Sequence, residues 1–260
     1  MEIRLDERTA LITGGSKGLG LAMAKTFAEA GAKVAIAARD AATLQNAEAE
    51  INALVPGAAK AIPTDVTDPE QCKALYAAAC SHFGQVDILV NNAGQSQTGK
   101  FEEITDEIWE ADLALKLMAQ VRMSRLAFPD MKTRKWGRII NVLNTGAKAP
   151  RGGGAPTAVT RAAGMALSKV LSFEGAPHNV LVNAMNTGLL VSDQWMRRHA
   201  ESDGSKTFEE FIADMGKNLP MGRMGHAEEF ANLACFLASD AASYINGTAI
   251  NIDGGMCPVV

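Results

Sequence analysis

A glycine-rich run near the N-terminus has the residue types and the spacing of a phosphate-binding turn. It reads TGGSKGLG and covers residues 13–20. Gly14 can adopt the backbone angles of a tight turn, Gly18 has no side chain that would keep a phosphate away, and Gly20 lets a helix lie close to its strand. A helix N-terminus here would offer unpaired N–H groups and a partial positive charge. The run therefore predicts a pyrophosphate site, with a tight helix start that binds nothing as the alternative.

The segments on either side of this run are predicted to be a strand and a helix. Residues 9–12 are the end of an apolar run, and Leu19, Met23 and Phe27 recur afterwards at helical spacing. The glycines thus lie where a strand leads into a helix N-terminus, which is the position that the phosphate-binding interpretation requires.

Strand-like and helix-like segments alternate over most of the chain. Apolar runs predict further strands at 33–38, 61–63, 86–90, 138–143, 180–185 and 249–252. Periodic spacing and capping residues predict helices at 41–54, 69–83, 106–131, 155–173 and 227–237. Such alternation is typical of a doubly wound α/β fold, in which a parallel sheet lies between helices and binds its ligands at the carboxyl ends of the strands. We expect one domain over residues 1–260.

Composition limits the partners and the compartment that we expect. The chain has 260 residues, of which 47% are hydrophobic, and a net charge of -4. Such a charge gives no basic field for nucleic acid. No apolar stretch reaches the roughly 20 residues that a membrane span needs, and no leader pattern follows Met1, so we expect a cytoplasmic protein without a membrane partner. The four cysteines are scattered and indicate neither a disulfide framework nor a metal site.

Further motifs give the chain a specific family resemblance. Besides the glycine-rich run, it has Asp65 and Val66, the run NNAG at 91–94 and a long matching segment at 219–255. In these motifs the chain resembles the short-chain dehydrogenases/reductases over nearly its whole length. The resemblance implies a seven-stranded Rossmann-type sheet, a bound NAD or NADP and a small-molecule substrate. It also implies a homotetramer or homodimer built partly from the two long helices.

The same resemblance implies which residues contact the dinucleotide. They are Gly14, Ser16, Lys17, Gly18, Leu19, Gly20, Arg39, Asp65, Val66, Asn91, Ala93, Gly94, Arg161, Gly188, Leu190 and Ser192. Arg39 follows the second predicted strand and Lys17 lies in the glycine-rich run, so two cations are expected near the ribose phosphate of NADP. Asp40 favours NAD instead, because an acidic residue about 20 positions after the last glycine can hold the ribose hydroxyls of NAD. It can equally be the N-cap of the next helix. The charges favour NADP(H) over NAD(H).

The catalytic positions of the family carry other residue types in this chain. Relatives use a Ser, a Tyr, a Lys four residues after the Tyr, and an Asn on the long helix. Aligning residues 160–175 with the family's helix puts Thr157 at the tyrosine position and Arg161 at the lysine position. The usual spacing then puts Asn144 at the serine position and Lys116 at the asparagine position. The two tyrosines of the chain lie in distant segments and cannot supply the missing phenol.

These replacements change the chemistry that the site can perform. A threonine hydroxyl is much less acidic than a phenol, so another group has to supply the proton. Asn144 can donate to a developing oxyanion. Arg161 can bond the nicotinamide ribose or that oxyanion. A buried Lys116 can lose proton affinity and act as an acid.

Each of these residues also has a structural interpretation. Lys116 lies four residues after Asp112, the spacing of a simple salt bridge on a helix. Asn144 can merely close a strand end with bonds to the backbone. Thr157 can be a plain helix start, and Arg161 can lack any role in redox chemistry.

The sequence does not name a substrate. The segment at about 187–218 is expected to cover it, and the basic run at 197–199 either receives an anionic group or forms a solvated face. Three hypotheses remain open. The chain is an NAD(P)(H)-dependent oxidoreductase that acts on an unknown carbonyl or alcohol through a non-standard site, an inactive dinucleotide-binding sensor or scaffold protein, or a non-redox enzyme that uses the same pocket.

Overall fold

A parallel seven-stranded sheet runs through the centre of the structure, a computed structural model that describes residues 3–202 and 204–260. Within these ranges, the side chains of Asp193, Gln194 and Arg197 are not described. The strands are β1 (Thr9–Thr13), β2 (Lys33–Ala38), β3 (Ala59–Pro63), β4 (Ile88–Asn91), β5 (Thr98–Gly99), β6 (Gly137–Asn144), β7 (Ala155–Pro156), β8 (Val180–Thr187) and β9 (Ala249–Ile252). The main sheet has the order β3-β2-β1-β4-β6-β8-β9, while β5 and β7 pair separately.

Helices connect the strands and cover both faces of the sheet. They are α1 (Gly18–Glu29), α2 (Ala41–Leu54), α3 (Pro69–Phe83), α4 (Asp106–Leu113), α5 (Ala119–Arg134), α6 (Thr157–Gly175), α7 (Asp193–Ala200), α8 (Phe208–Gly216) and α9 (Ala227–Ala238). The predicted doubly wound fold is confirmed. In the described ranges, none of these helices has the length and apolar character that crossing a bilayer demands.

Two apolar cores lie on opposite sides of the sheet. Because side chains alternate along a strand, Ala10 and Ile12 of β1 point into the core beneath α1, α2 and α9, while Leu11 points into the core beneath α3 and α5. Both faces of the central strands are therefore buried, which explains their continuous apolar sequences. A sheet buried in this way is a rigid base for side chains at its carboxyl edge.

The caps of two helices follow the sequence closely. Asp68 accepts hydrogen bonds from the N–H groups of Glu70 and Gln71, with Pro69 in the first turn of α3. Asp40 accepts from the N–H of Thr43 at 2.8 Å and so caps α2. Both carboxylates satisfy N–H groups that a helix start would otherwise leave without a partner.

The predicted continuous helix at 106–131 contains a change of winding. Residues Ala114–Met118 form a π turn between α4 and α5, in which the N–H of Ala119 bonds the carbonyl of Ala114, five residues back. Lys116 lies within this turn. Wider turns of this kind occur often at functional sites.

The helix predicted at 155–173 starts two residues later than expected. Ala155 and Pro156 pair with Thr98 and Gly99 in the short antiparallel ribbon of β5 and β7, so α6 begins at Thr157. The ribbon fixes the start of α6 against the segment that follows β4.

Candidate active site

The glycine-rich run forms a cradle between β1 and α1. Gly14 and Gly18 have φ angles of +67° and +51°, which favour glycine. A Cβ on Gly20 would lie 2.1 Å from the carbonyl oxygen of Gly14, so the helix packs too closely on the turn for any side chain. In the part of the chain that the structure describes, no side chain caps the N-terminus of α1. Its first N–H groups are therefore free to bind an anion.

A cavity of about 140 Å³ lies beside this cradle, at the carboxyl ends of β2, β3 and β4. Its walls include most of the residues expected on the adenosine side, namely Gly14, Arg39, Asp65, Val66, Ala93 and Gly94. The position between β1 and β4 is where the strand order reverses, the usual place for a dinucleotide in such sheets. The cradle and the cavity together fit a dinucleotide.

Asn91 lies behind this cavity rather than in its wall. Its amide donates to Asn141 Oδ1 at 2.8 Å and belongs to a buried polar cluster with Ser124 and Ser168. The side chain of Asn91 therefore holds β4 to β6, and any contact that Asn91 makes with a dinucleotide has to come from its main chain.

Two cations and two carboxylates lie around the cavity, with Asp65 in its wall and Asp40 next to Arg39. Arg39 and Lys17 are exposed, and neither is in an ion pair within the described residues. Hydrogen bonds from Thr43, assisted by the nearby charge of Lys17, hold the pKa of Asp40 below its ordinary value. One oxygen of this carboxylate is committed to capping α2.

The four residues expected at the catalytic positions lie on neighbouring elements, and two of them, Lys116 and Thr157, are in contact. The ammonium group of Lys116 donates to Thr157 Oγ1 at 2.6 Å and forms an ion pair with Asp112. Asp112 also accepts from the hydroxyl of Thr160 at 2.7 Å. Lys116 is 1% exposed, so this pair is removed from water. The predicted salt bridge is thus present, and it holds the lysine against the residue at the tyrosine position.

Thr157 is held on two sides. Its hydroxyl donates to the carbonyl of Gln97 at 2.6 Å and accepts from the N–H of Gln97 at 3.0 Å, besides accepting from Lys116. The ribbon of β5 and β7 brings Gln97 to this place. Thr157 therefore starts α6, as the structural interpretation held, and also lines a cavity of about 210 Å³.

Burial lowers the pKa of Lys116 below its ordinary value of 10.5, and the hydrogen bond and charge of Asp112 oppose that shift. The nearby charge of Arg161 lowers this pKa further. A lysine with a reduced proton affinity can give up its proton nearer to neutral pH than a solvated one. Such a group has the property that a general acid needs.

Arg161 is buried beneath the NNAG segment. Its guanidinium donates to the carbonyl of Val142 at 2.6 Å, and a Cβ on Gly94 would lie 2.5 Å from Nη2. Burial lowers the pKa of Arg161 to about 10, so the group stays charged at neutral pH. A glycine at position 94 is what leaves room for this larger cation.

Asn144 stands between two adjoining cavities at the end of β6. It lines the cavity of about 210 Å³ together with Thr157, and a second cavity of about 320 Å³. Within residues 3–202 and 204–260 no hydrogen bond holds its amide, and its Oδ1 is buried without a partner. The strand-closing interpretation of this residue is therefore not supported, and the amide is available to a ligand.

The larger cavity extends from Asn144 to the start of the expected substrate segment. Gly188, Leu190 and Ser192 line it, as does Leu19 of the glycine-rich turn. Arg198 reaches the same cavity, with its guanidinium carbon 4.7 Å from the ring centroid of Trp195. Arg197 has its side chain outside the described residues. His199 instead bonds the carbonyl of Lys206.

Several residues of the site were not anticipated. Gln97, Thr160 and Arg151 each contact or border the residues expected at the catalytic positions or their partners. Gln97 and Thr160 act through contacts that form only after distant segments pack, and no local pattern marks them. Arg151 precedes three glycines, which was a signal for a loop and not for a ligand contact.

Known reductases are similar to the chain in sequence. A family described as Enoyl-(Acyl carrier protein) reductase matches residues 14–257. The 3-oxoacyl-[acyl-carrier-protein] reductase FabG of Escherichia coli (strain K12) is 33% identical over 254 residues, which cover 98% of this chain and 99% of that protein. The chain is thus similar to reductases along its full length.

Two solved structures are similar to the chain over almost every residue. L-Sorbose reductase from Gluconobacter frateurii, complexed with NADPH and L-sorbose, is 33% identical with a TM-score of 0.95 and full coverage of both chains. An NADPH-bound short chain oxidoreductase from Pseudomonas aeruginosa PAO1 that contains an atypical catalytic center is 36% identical, with a TM-score of 0.91 and 99% coverage of both chains.

Proposed function

The chain belongs to the short-chain dehydrogenase/reductase family, and from that premise we propose that it is an NADP(H)-linked reductase in which Lys116 and Thr157 deliver the proton to a carbonyl substrate. As a member of this family it is an NAD(P)-dependent oxidoreductase. The preference for NADP(H), the residue roles and the carbonyl substrate are the parts that we propose.

The residues of the cradle and of the 140 Å³ cavity would hold the cofactor. The N–H groups at the start of α1 suit the pyrophosphate, and Arg39 with Lys17 suits the ribose phosphate. When bound, NADP(H) supplies or receives the hydride. Two of the similar structures carry NADPH, which supports the choice of cofactor.

The proposal depends most on the contact between Lys116 and Thr157. The hydroxyl of Thr157 lines the cavity that Asn144 shares, and the ammonium of Lys116 donates to that hydroxyl at 2.6 Å. As hydride reaches the carbonyl carbon, the Thr157 hydroxyl turns away from the carbonyl of Gln97, to which it otherwise donates, and gives its proton to the substrate oxygen. Thr157 Oγ1 takes a proton from Lys116, which becomes a neutral amine. After the product leaves, water that enters the cavity returns a proton to the buried lysine through Thr157. One hydride and one proton thus convert the carbonyl to an alcohol.

Two further residues support this transfer. Asn144, whose amide has no other partner in the described chain, donates a hydrogen bond to the substrate oxygen as negative charge develops there. Arg161 keeps its charge close to Lys116 and lowers the proton affinity of that lysine. The Pseudomonas aeruginosa relative is also described as having an atypical catalytic center, so a reductase frame with altered catalytic residues has a precedent.

Deuterium transfer tests the activity. We expect NADPH deuterated at the transferring position of C4 to deliver its label to the product of at least one member of a carbonyl panel. Fluorescence titration should show tighter binding of NADPH than of NADH. Tight NADPH binding without label transfer to any carbonyl would reject the reductase and favour a dinucleotide-binding protein.

Removal of the Thr157 hydroxyl tests its place in the proton path. Thr157→Val keeps the shape of the side chain and should lower kcat by about 10² to 10⁴. Thr157→Ser keeps a hydroxyl that can pass the proton, so its kcat should stay within roughly tenfold of the parent's kcat. Equal rates for the two variants would show that the hydroxyl carries no proton.

A further inference from the structure

We infer that the substrate is an organic anion whose carboxylate or phosphate group binds Arg151, on the side of the active-site cavity opposite the glycine-rich cradle. This inference rests on the proposed reductase function and adds the class of its substrate. Nothing in the family resemblance assigns Arg151, which lies in the loop between β6 and β7.

Two adjoining cavities of the site are lined by positive charge. They share a wall formed by Asn144, Thr145, Gly146 and Met256. Among the side chains that the structure describes, which leave out Asp193, each cavity has one arginine in its lining and no carboxylate, although the chain as a whole has 29 acidic and 25 basic residues. A pocket of positive charge in an acidic protein concentrates anions and disfavours cations.

Some surface arginines of the chain are occupied by carboxylates. Arg223 pairs with Glu229 at 2.7 Å and Arg4 pairs with Asp6 at 2.6 Å. Neither Arg151 nor Arg198 forms an ion pair with a side chain that the structure describes, and Asp193 is not among those side chains. Their guanidinium groups can therefore form paired, charge-assisted hydrogen bonds with a ligand.

Position separates the roles of the two cations. The cavity of Arg198 includes Leu19 of the cradle, and a Cβ on Gly18 would lie 3.9 Å from the Cβ of Ser192 in its wall. Arg198 therefore lies on the cofactor side, where phosphates of the dinucleotide are expected. The cavity of Arg151 contains Thr157 but no residue of the cradle.

A ligand in this second cavity has its two ends fixed by different groups. An acidic group at Arg151 leaves the other end of a small molecule beside Asn144 and Thr157, where the carbonyl has to lie for proton transfer. The volume of about 210 Å³ suits a short chain that bears both groups. We therefore place the reacting carbonyl a few bonds away from the acidic group.

The test compares acids with their neutral partners on the NADP(H)-loaded protein. One pair is 4-oxopentanoate and its methyl ester, and the other is dihydroxyacetone phosphate and dihydroxyacetone. Affinity is read from the change in bound-NADPH fluorescence, and turnover is followed separately. We expect about a tenfold or greater preference for the acid in at least one pair, which also identifies whether the group is a carboxylate or a phosphate.

Variants assign that preference to one residue. Arg151→Gln should reduce the ratio of acid to neutral affinity to about one. Lys148→Gln removes a charge from the same loop outside both cavities and should leave the ratio unchanged. Arg198→Gln should weaken NADPH binding and retain the ratio.

The outcomes separate this inference from the proposed function. Absence of a preference in every pair would overturn the inference, as would a preference that survives Arg151→Gln or disappears in Arg198→Gln. Label transfer to neutral carbonyls alone would reject the inference and keep the reductase. A charge preference in binding without any hydride transfer would keep the inference and reject the reductase.

Discussion

At the scale of single residues, the central feature is a buried lysine that is paired and still close to the pocket. The salt-bridge and acid interpretations of Lys116 are not alternatives, because Asp112 holds the ammonium in place while Thr157 connects it to the cavity. A buried charge without a partner costs several kcal/mol, so the pair is what allows a lysine here. Removal of one partner alone should cost about 3–5 kcal/mol of folding free energy.

Arg39 gives a prediction about cofactor choice. Arg39→Ala should raise the Kd for NADPH by about tenfold or more and leave the Kd for NADH nearly unchanged, because we propose that the cation contacts a phosphate that NADH lacks. Fluorescence titration of both cofactors measures the two constants. Lys60→Ala is the control, since Lys60 lies on the neighbouring strand β3 and pairs with Glu48. An equal loss for both cofactors in Arg39→Ala would contradict the assignment of the ribose phosphate.

At the scale of elements, the sequence predicted the features that depend on contacts within a few residues. The glycine-rich turn and the caps at Asp40 and Asp68 follow from backbone sterics and from side-chain to backbone bonds within a few residues. The strands buried on both faces were found from their apolar runs. The parallel, doubly wound sheet was predicted from the alternation of elements, and its seven strands from the family resemblance.

Other features depend on contacts that the sequence does not display. The π turn at Ala114–Met118 interrupts the α-helical winding without a proline or glycine. Lys116 lies in this turn and donates a hydrogen bond to Thr157 of α6. The ribbon of β5 and β7 is two residues per strand and too short for a periodic signal. The pairing of Gln97 with Thr157 depends on that ribbon, so it could not be predicted.

The cradle gives a prediction at this scale. Gly20→Ala should abolish measurable NADPH binding and lower the stability by about 1–3 kcal/mol, because the added Cβ would lie 2.1 Å from a backbone oxygen that cannot move aside. Thermal unfolding and NADPH titration test this. Gly152→Ala meets no atom within 4 Å and should change neither quantity. Normal NADPH affinity in Gly20→Ala would show that α1 does not need its close approach to the turn.

At the scale of the whole molecule, the outer face of α5 and α6 is the surface that we expect to bind a second copy of the chain. Val170 and Phe173 on α6 are 55% and 70% exposed, and Val159 of the same helix is also exposed. The spacing of these residues places them along one side of the helix. Large apolar side chains exposed together mark interaction surfaces, and the family resemblance implies assembly through these two helices.

This surface gives a prediction about assembly. The double variant Val170→Asp with Phe173→Asp should shift an oligomer to the monomer, because two charges would have to be buried in the interface. Light scattering after size-exclusion chromatography gives the mass. Leu54→Asp alters a half-exposed leucine at the end of α2 and should leave the mass unchanged. A parent protein that is already monomeric would refute the assembly.

The proton path from Lys116 is tested most directly by the pH dependence of kcat for carbonyl reduction. Reduction needs the protonated lysine, so kcat should fall as pH rises through the pKa of Lys116, which burial places below 10.5. Alcohol oxidation needs the neutral amine and should rise over the same range. The alkaline limb of each pH profile, a fall for reduction and a rise for oxidation, therefore reports the titration of Lys116.

The comparison variant is Asp112→Asn with Lys116→Met, which removes both charges of this buried ion pair, and its circular dichroism should match that of the parent. We predict that this variant loses the alkaline limb and about 10² to 10⁴ in kcat. A variant that keeps the limb and a rate within a few-fold of the parent would contradict Lys116 as the proton source.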